Sequence, residues 1–246
     1  MAKRQLRQHA SAQGVRDRVL FVPQLAADEN PKAYRCILLN RLRDYEKTGM
    51  NQNFVEDMLE VVDEADQVIG CFPRRQCHGD PRLVHRVAHV LVFDPQGRLL
   101  LQKRSEAKDV QPGRWDTSVG GHLDPGETYD MAACREMQEE LGIAVRTLRP
   151  LYRYRWRTSF ESENVMTFLL HYQGPIRFAP AEIDAVRWWH ADEIDAAVGT
   201  GLLTPNLEAE WQRWLEWTTA MPLPAVTFWP PCWRKSGQQA RRSAQE

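Results

Sequence analysis

Glu136, Glu139 and Glu140 fall within five consecutive positions of the chain. On a helix turning about 100° per residue, all three project from one side. Carboxylates held this close repel one another unless a cation lies among them. Hard divalent ions take oxygen ligands, and Mg²⁺ usually arrives with a phosphate. Without such an ion, the same run reads as a solvated acidic face. A second set of candidate ligands is dispersed. His78, His85 and His122 carry imidazoles, and Glu161 and Glu163 stand two apart in a strand-like stretch, so they share a face. Taken singly, each histidine is a hydrogen-bonding residue; taken together with the two acids, they could give Mn²⁺, Zn²⁺ or Mg²⁺ five or six ligands.

These residues need elements to position them. Pro125-Gly126 is a turn signal; Glu127 opens a helix that Gly142 ends. Cys134, Met137 and Leu141 lie on another side of that helix and suit packing. Upstream, residues 59–62 and 68–69 predict two short strands around a turn at Asp63–Asp66. The β-branched and apolar run 84–93 predicts a buried strand, and 98–103 returns as its hairpin partner across Asp94-Pro95-Gln96-Gly97. Residues 105–118 read as a loop. Further strands are predicted at about 144–156, 165–173 and 183–189, with helices at 191–198 and 206–218. Trp211, Trp214 and Leu215 share one side of the last helix. Nearer the N-terminus, 19–22 reads as a strand and 31–47 as a helix, because Tyr34, Ile37, Leu38, Leu42 and Tyr45 recur at helical spacing.

Bulk properties exclude several classes. The chain of 246 residues carries a net charge of −1. No apolar run is long enough to span a bilayer, so no membrane segment is expected. The first residues are basic but lack the apolar stretch of a secretory signal. Residues 1–18 and 233–246 carry net charges of +4 and +3. Such tails usually solubilise, and a nucleic-acid partner is not expected. Five scattered cysteines form no C-x-x-C pair, which argues against a disulfide framework and for a reducing compartment, taken as the cytoplasm. The expected organisation is an N-terminal extension over 1–50, one α/β domain over 51–220, and a Pro-rich then basic tail over 221–246.

The stretch from Gly121 to Ile143 resembles the signature of the Nudix hydrolase family, G-x5-E-x7-R-E-U-x-E-E-x-G-U with U aliphatic. Gly121, Glu127, Arg135, Glu136, Met137, Glu139, Glu140, Gly142 and Ile143 meet its fixed positions, with Met137 accepted as U. The resemblance implies an α/β/α sandwich around a mixed sheet. It also implies a loop–helix–loop in which Glu136, Glu139 and Glu140 hold Mg²⁺ or Mn²⁺, often with the Gly121 carbonyl. Glu127 then supports the site or the base, and Arg135 orients the glutamates. The expected activity is metal-dependent cleavage of a diphosphate linkage in a nucleoside diphosphate derivative or another organic diphosphate.

Within roughly 57–200, the segments VVDEADQVIG, CHGDPRLVHR, LLLQKRS, KDVQPGRWDTSVGGH and ESENV resemble type I isopentenyl-diphosphate isomerase, a divergent Nudix branch. That branch's three-His, two-Glu metal site falls on His78, His85, His122, Glu161 and Glu163. Its second, diphosphate-linked Mg²⁺ uses the position of Glu140, and its basic diphosphate contacts fall on Arg74, Arg104 and Lys108. Two departures separate this chain from the branch. Gly120 stands where the isomerase has a catalytic Cys, so one of the two agents of its proton shift is absent. Glu136 stands where the isomerase has Arg, which restores the third signature carboxylate. Trp115 and Trp156 could stack on a substrate, or could pack in the core or at the rim. The alternatives to hydrolysis are an isomerase-like enzyme and a non-catalytic sensor of a diphosphate ligand. Substrate identity is not legible, and a homodimer stays open.

Overall fold

The computed structural model of this chain describes residues 57–220. The readings at 19–22 and 31–47, and those for both tails, lie outside the described residues. The sheet is organised around β3 (Val84–Phe93), a strand buried along most of its length. Its sequence, VHRVAHVLVF, is rich in β-branched and apolar residues on both faces, as a doubly covered strand requires. One edge of β3 pairs in parallel with β8 (Ser162–His171) through ten residues. Its other edge is shared by three antiparallel partners in turn: β1 (Met58–Val62) at His85, β6 (Val119–His122) at Val87 to Val90, and β4 (Leu99–Arg104) at Phe93. Hairpin partner β2 (Val68–Pro73) extends β1. Beyond β8 lies β7 (Arg149–Arg157). Against β4 lie β9 (Ile183–Trp189) and the two-residue β5 (Trp115–Asp116). The sheet is therefore mixed.

Alternation along the strands sends side chains to two cores. Ala88, Val90, Val92, Leu100 and Phe168 face α2 (Tyr129–Leu141), meeting Ala132, Ala133, Met137 and Leu141. Their sequence neighbours Leu91, Phe93, Leu99, Leu101 and Leu169 face the opposite way. They meet Ile194 of α3 (Ala191–Ala197) and Leu207, Trp211 and Trp214 of α4 (Pro205–Ala220). Helices thus cover both faces, giving an α/β/α sandwich. One short helix, α1 (Arg74–Cys77), follows β2 directly and was not foreseen from the sequence.

Most sequence expectations fall within a few residues of the observed elements, with four differences. The helix of the signature starts at Tyr129 rather than Glu127, because Thr128 is its N-cap and accepts from the Met131 amide. The strand expected from 144 begins only at Arg149. Residues 105–118 are not wholly loop, since β5 pairs with β4 at their end. Finally, Cys77 and Cys134 are free thiols, but Cys71 is disulfide-bonded, which the scattered cysteine spacing did not announce.

Candidate functional site

The signature carboxylates are placed by a turn, a cap and two glycines. Asp124 to Glu127 form a β-turn closed by the Glu127 amide donating to the Asp124 carbonyl at 2.9 Å. Gly126 takes φ +85° there, the left-handed region that such a turn reserves for glycine. At the far end, Gly142 adopts φ +66°, and the Gly142 and Ile143 amides donate back to the carbonyls of Gln138 and Met137. Between them, Arg135 acts as a clamp. Its Nε and Nη2 donate to the two oxygens of Glu127 at 2.9 and 2.8 Å, and Nη1 reaches Glu136 at 2.7 Å and Glu139 at 3.0 Å. Gly121 is needed for room: a Cβ there would lie 2.0 Å from Glu136 Oε1.

Glu136, Glu139 and Glu140 all line one cleft of about 620 Å³, with Gly121 at its wall. Their environments differ. Glu139 is 59% exposed, whereas Glu136 is 14% exposed and Glu140 is buried. Burial and the repulsion of Glu136 and Glu182 push the Glu140 carboxyl well above the usual carboxylate range. Burial also raises Glu136, against the pull of Arg135. Three acids converging in a partly dry cleft with one guanidinium among them suit a divalent cation. The space that glycine leaves at position 121 is filled by the Glu136 carboxylate, which brings that acid against the β6 backbone.

The His/Glu set is also brought together. His85 on β3 lies opposite Glu163 on β8, and Val87 lies opposite His122 on β6. His78 reaches them from the residue after α1. Ligand atoms of His78, His85 and His122, and of His85, Glu161 and Glu163, lie within 4.8 Å of one another in each group. Two Nε2 atoms, of His78 and His122, face each other at 3.1 Å, where lone pairs would repel without a proton or cation between them. Among the described residues, His85 Nε2 and Glu163 Oε2 are buried without a hydrogen-bond partner. Burial, with Arg74 and His85 nearby, lowers His78 to about 4, and burial holds His122 well below its ordinary value. Both rings are thus neutral at neutral pH, the form that ligates a metal. Burial and Glu163 push Glu161 up to about 7. The donor set fits a transition-metal ion.

Arg74, Arg104, Lys108 and Trp156 line the same cleft. Arg104 donates to Asp116 at 3.1 Å and Lys108 to Glu182 at 2.9 Å, so each already has a carboxylate partner. Trp115 is not brought to the cleft. It packs edge-on against Trp189, with ring centroids 5.2 Å apart, at the margin of the core beneath α3 and α4. Several cleft residues gave no signal in the sequence. Buried Gln102 donates to Glu140 at 3.1 Å. Glu60, which does not itself line the cleft, accepts from the Gly126 amide at 3.0 Å and from Arg86, tying the signature turn to β1. Glu182 and His89 also line the cleft. No local pattern marks any of these, because each partner is remote in the chain.

A mixed α/β/α sandwich with this acid-lined loop–helix–loop defines a class of protein, and comparison agrees with it. The NUDIX domain family matches residues 83–217, and the chain belongs to that family. It is 36% identical over 150 residues to an uncharacterised Nudix hydrolase of Yersinia pestis, covering 59% of this chain and 80% of that one. It is also 36% identical over 145 residues to an isopentenyl-diphosphate Delta-isomerase of Nocardia farcinica, covering 56% and 82%. Among solved structures, DR0079 from Deinococcus radiodurans is 28% identical with a TM-score of 0.57, covering 63% of this chain and 98% of that one.

Proposed function

We propose that this Nudix protein hydrolyses the diphosphate linkage of a nucleoside diphosphate derivative or another organic diphosphate, with Mg²⁺ or Mn²⁺. The observation carrying this reading is the convergence of Glu136, Glu139 and Glu140 on one cleft, clamped by Arg135 and given room by Gly121. A divalent ion bound there supplies neutralisation of charge developing at phosphorus and acidifies water. Glu136, Glu139 and Glu140 would hold that ion, and Arg135 keeps two of them aimed. Glu127 fixes Arg135 from behind through the paired hydrogen bonds. Glu139 or Glu136 takes the proton from the attacking water. A P–O bond forms to the water oxygen as the bridging P–O bond breaks, and two phosphate products leave: two monoesters from a diphosphate substituted at both ends, or a monoester and inorganic phosphate from one substituted at a single end. Arg74, Arg104 and Lys108 steady the diphosphate; the last two must exchange Asp116 and Glu182 for substrate oxygens to do so.

A second reading has its own support. The His78, His85, His122, Glu161 and Glu163 cluster, with its orphaned atoms, fits a second metal ion, and a relative of isomerase name shares the scaffold. An isomerase-like enzyme would interconvert isopentenyl diphosphate and its allylic isomer without releasing phosphate. Gly120 gives no thiol at the position where the isomerase resemblance calls for one, which favours hydrolysis. The test is turnover of a diphosphate panel with Mg²⁺, after chelation, and in a Glu139→Gln variant. Loss of cleavage on chelation and in the variant, at unchanged melting temperature, is expected. Cleavage unaffected by both would overturn the assignment. Isomerisation gained in Gly120→Cys, with no hydrolysis in the parent, would favour the second reading.

A further inference from the structure

Adjacent glycines of β6 open in opposite directions. Gly121 makes room for Glu136, whereas a Cβ on Gly120 would lie 3.2 Å from His89 Cδ2, 3.3 Å from Thr117 Oγ1 and 3.4 Å from His89 Nε2. His89 lies opposite Gly120 in the β3–β6 ladder and is 4% exposed, yet it lines the cleft, as Thr117 does. Its other ring nitrogen is committed. Nδ1 lies 2.9 Å from Glu210 Oε2, on α4 and fully buried. Glu210 also accepts from Tyr152 at 2.7 Å, from Tyr154 at 2.5 Å and from Thr167 at 3.0 Å. A buried carboxylate with four donors is held as an anion and accepts, so Nδ1 carries the proton. Among the described residues, Nε2 makes no hydrogen bond, and the missing side chain at 120 leaves it facing the cleft. His89 is not in either group of converging ligand atoms, so it is not a further member of the His/Glu cluster.

We propose that His89 is a substrate-contacting residue, whose Nε2, through the opening at Gly120 and beside Thr117 Oγ1, hydrogen-bonds a phosphoryl oxygen of the diphosphate on the side away from the signature glutamates. Glu210 is its positioning residue, and Tyr152, Tyr154 and Thr167 fix Glu210 in turn. Burial opposes a charge on the ring, but the Glu210 hydrogen bond and charge outweigh it and raise His89 above its ordinary value. With Nδ1 donating to Glu210, Nε2 donates only from the doubly protonated ring, so the group on the Gly120 side is an imidazolium N–H, and the signature glutamates would hold a metal on the Gly121 side.

The inference rests on the diphosphate reading of the cleft, and a non-hydrolysable ligand separates the two. Calorimetry would measure binding of methylenediphosphonate in Mg²⁺ to the whole chain, to His89→Gln and to Gly120→Ala, with melting temperatures alongside. Gly120→Ala covers Nε2 and, with its Cβ 3.2 Å from Cδ2, asks the ring to give only slightly, so the His89–Glu210 hydrogen bond is expected to persist. Affinity lowered on the order of tenfold or more in both folded variants is expected. Where turnover is measurable, the same substitutions raise KM. A purely structural His–Glu pair would lower the melting temperature of His89→Gln and leave the affinity of Gly120→Ala unchanged, and that result would overturn the inference. Absence of binding to the parent protein would remove the ligand, and the inference with it. Binding that depends on His89 without any turnover would retain the inference and remove the hydrolase reading.

Discussion

At the scale of single residues, the site is a problem of charge and room. Burial pushes Glu136 and Glu140 up, helped by Glu139 and Glu182 at the first and by Glu136 and Glu182 at the second, and Arg135 relieves only part of this at Glu136. A carboxyl with a raised pKa keeps its proton to higher pH, and a metal must displace that proton. Mg²⁺ affinity therefore falls as pH drops, and the fall begins above the usual carboxylate range. Calorimetry at several pH values in buffers of different ionisation enthalpy would show net proton release on binding; binding without proton release would contradict this. The room is supplied by Gly121. In Gly121→Ala the new Cβ must drive Glu136 off its position, 2.0 Å away, so metal affinity falls on the order of tenfold with the chain still folded. A Mg²⁺ titration of this variant checks it, and parent-like affinity would count against the role given to Glu136.

At the scale of elements, one helix with its two ends carries most of the proposed chemistry, and its placement was largely legible. Spacing alone put Glu136, Glu139 and Glu140 on one side of it and Met137 and Leu141 on another, and Gly142 marked its end. The start was misplaced because Glu127 serves the turn and Arg135 rather than the first helical turn, leaving Thr128 as cap. Met137 is fully buried against the sheet, so Met137→Ala costs about 2–5 kcal/mol. Losing the Thr128 cap in Thr128→Ala costs about 1 kcal/mol. Urea unfolding would rank the two; equal effects would show that the helix is not anchored as described. What the sequence could not show is pairing at a distance. Gln102 meets Glu140 across 38 positions and His89 meets Glu210 across 121, and neither residue type in isolation announces a site. Trp115 misled in the opposite sense, since an aromatic near a candidate cleft serves the core as readily.

At the scale of the whole molecule, two helical layers hold one sheet among the described residues, and the cleft opens where β6 ends beside α2. The apolar run of β3 announced a buried strand, and most strands and helices after it followed from period and turn signals, but the short strands β5 and β6 did not. Nor did the order of strands, because the parallel β3–β8 pairing brings together segments separated by five other elements. Trp214 is fully buried between α4 and the sheet, so Trp214→Ala costs about 3–5 kcal/mol, read by the same unfolding experiment. A loss below about 1 kcal/mol would mean that α4 contributes little to the fold. Two candidate metal positions share the cleft, one all-carboxylate and one rich in imidazole. Metal analysis after purification should find a transition-metal ion that a His78→Ala, His85→Ala double variant loses, while Mg²⁺ binding at the signature glutamates persists. Equal metal content in parent and variant would remove the second position.

The most direct measurement is phosphorus NMR of the protein with Mg²⁺ against a mixed panel of organic diphosphates that includes isopentenyl diphosphate. Conversion of one diphosphate into two monophosphate signals, absent without the metal and absent in Glu139→Gln, is the predicted result. Disappearance of isopentenyl diphosphate into its allylic isomer, with the diphosphate signals intact, would contradict the account.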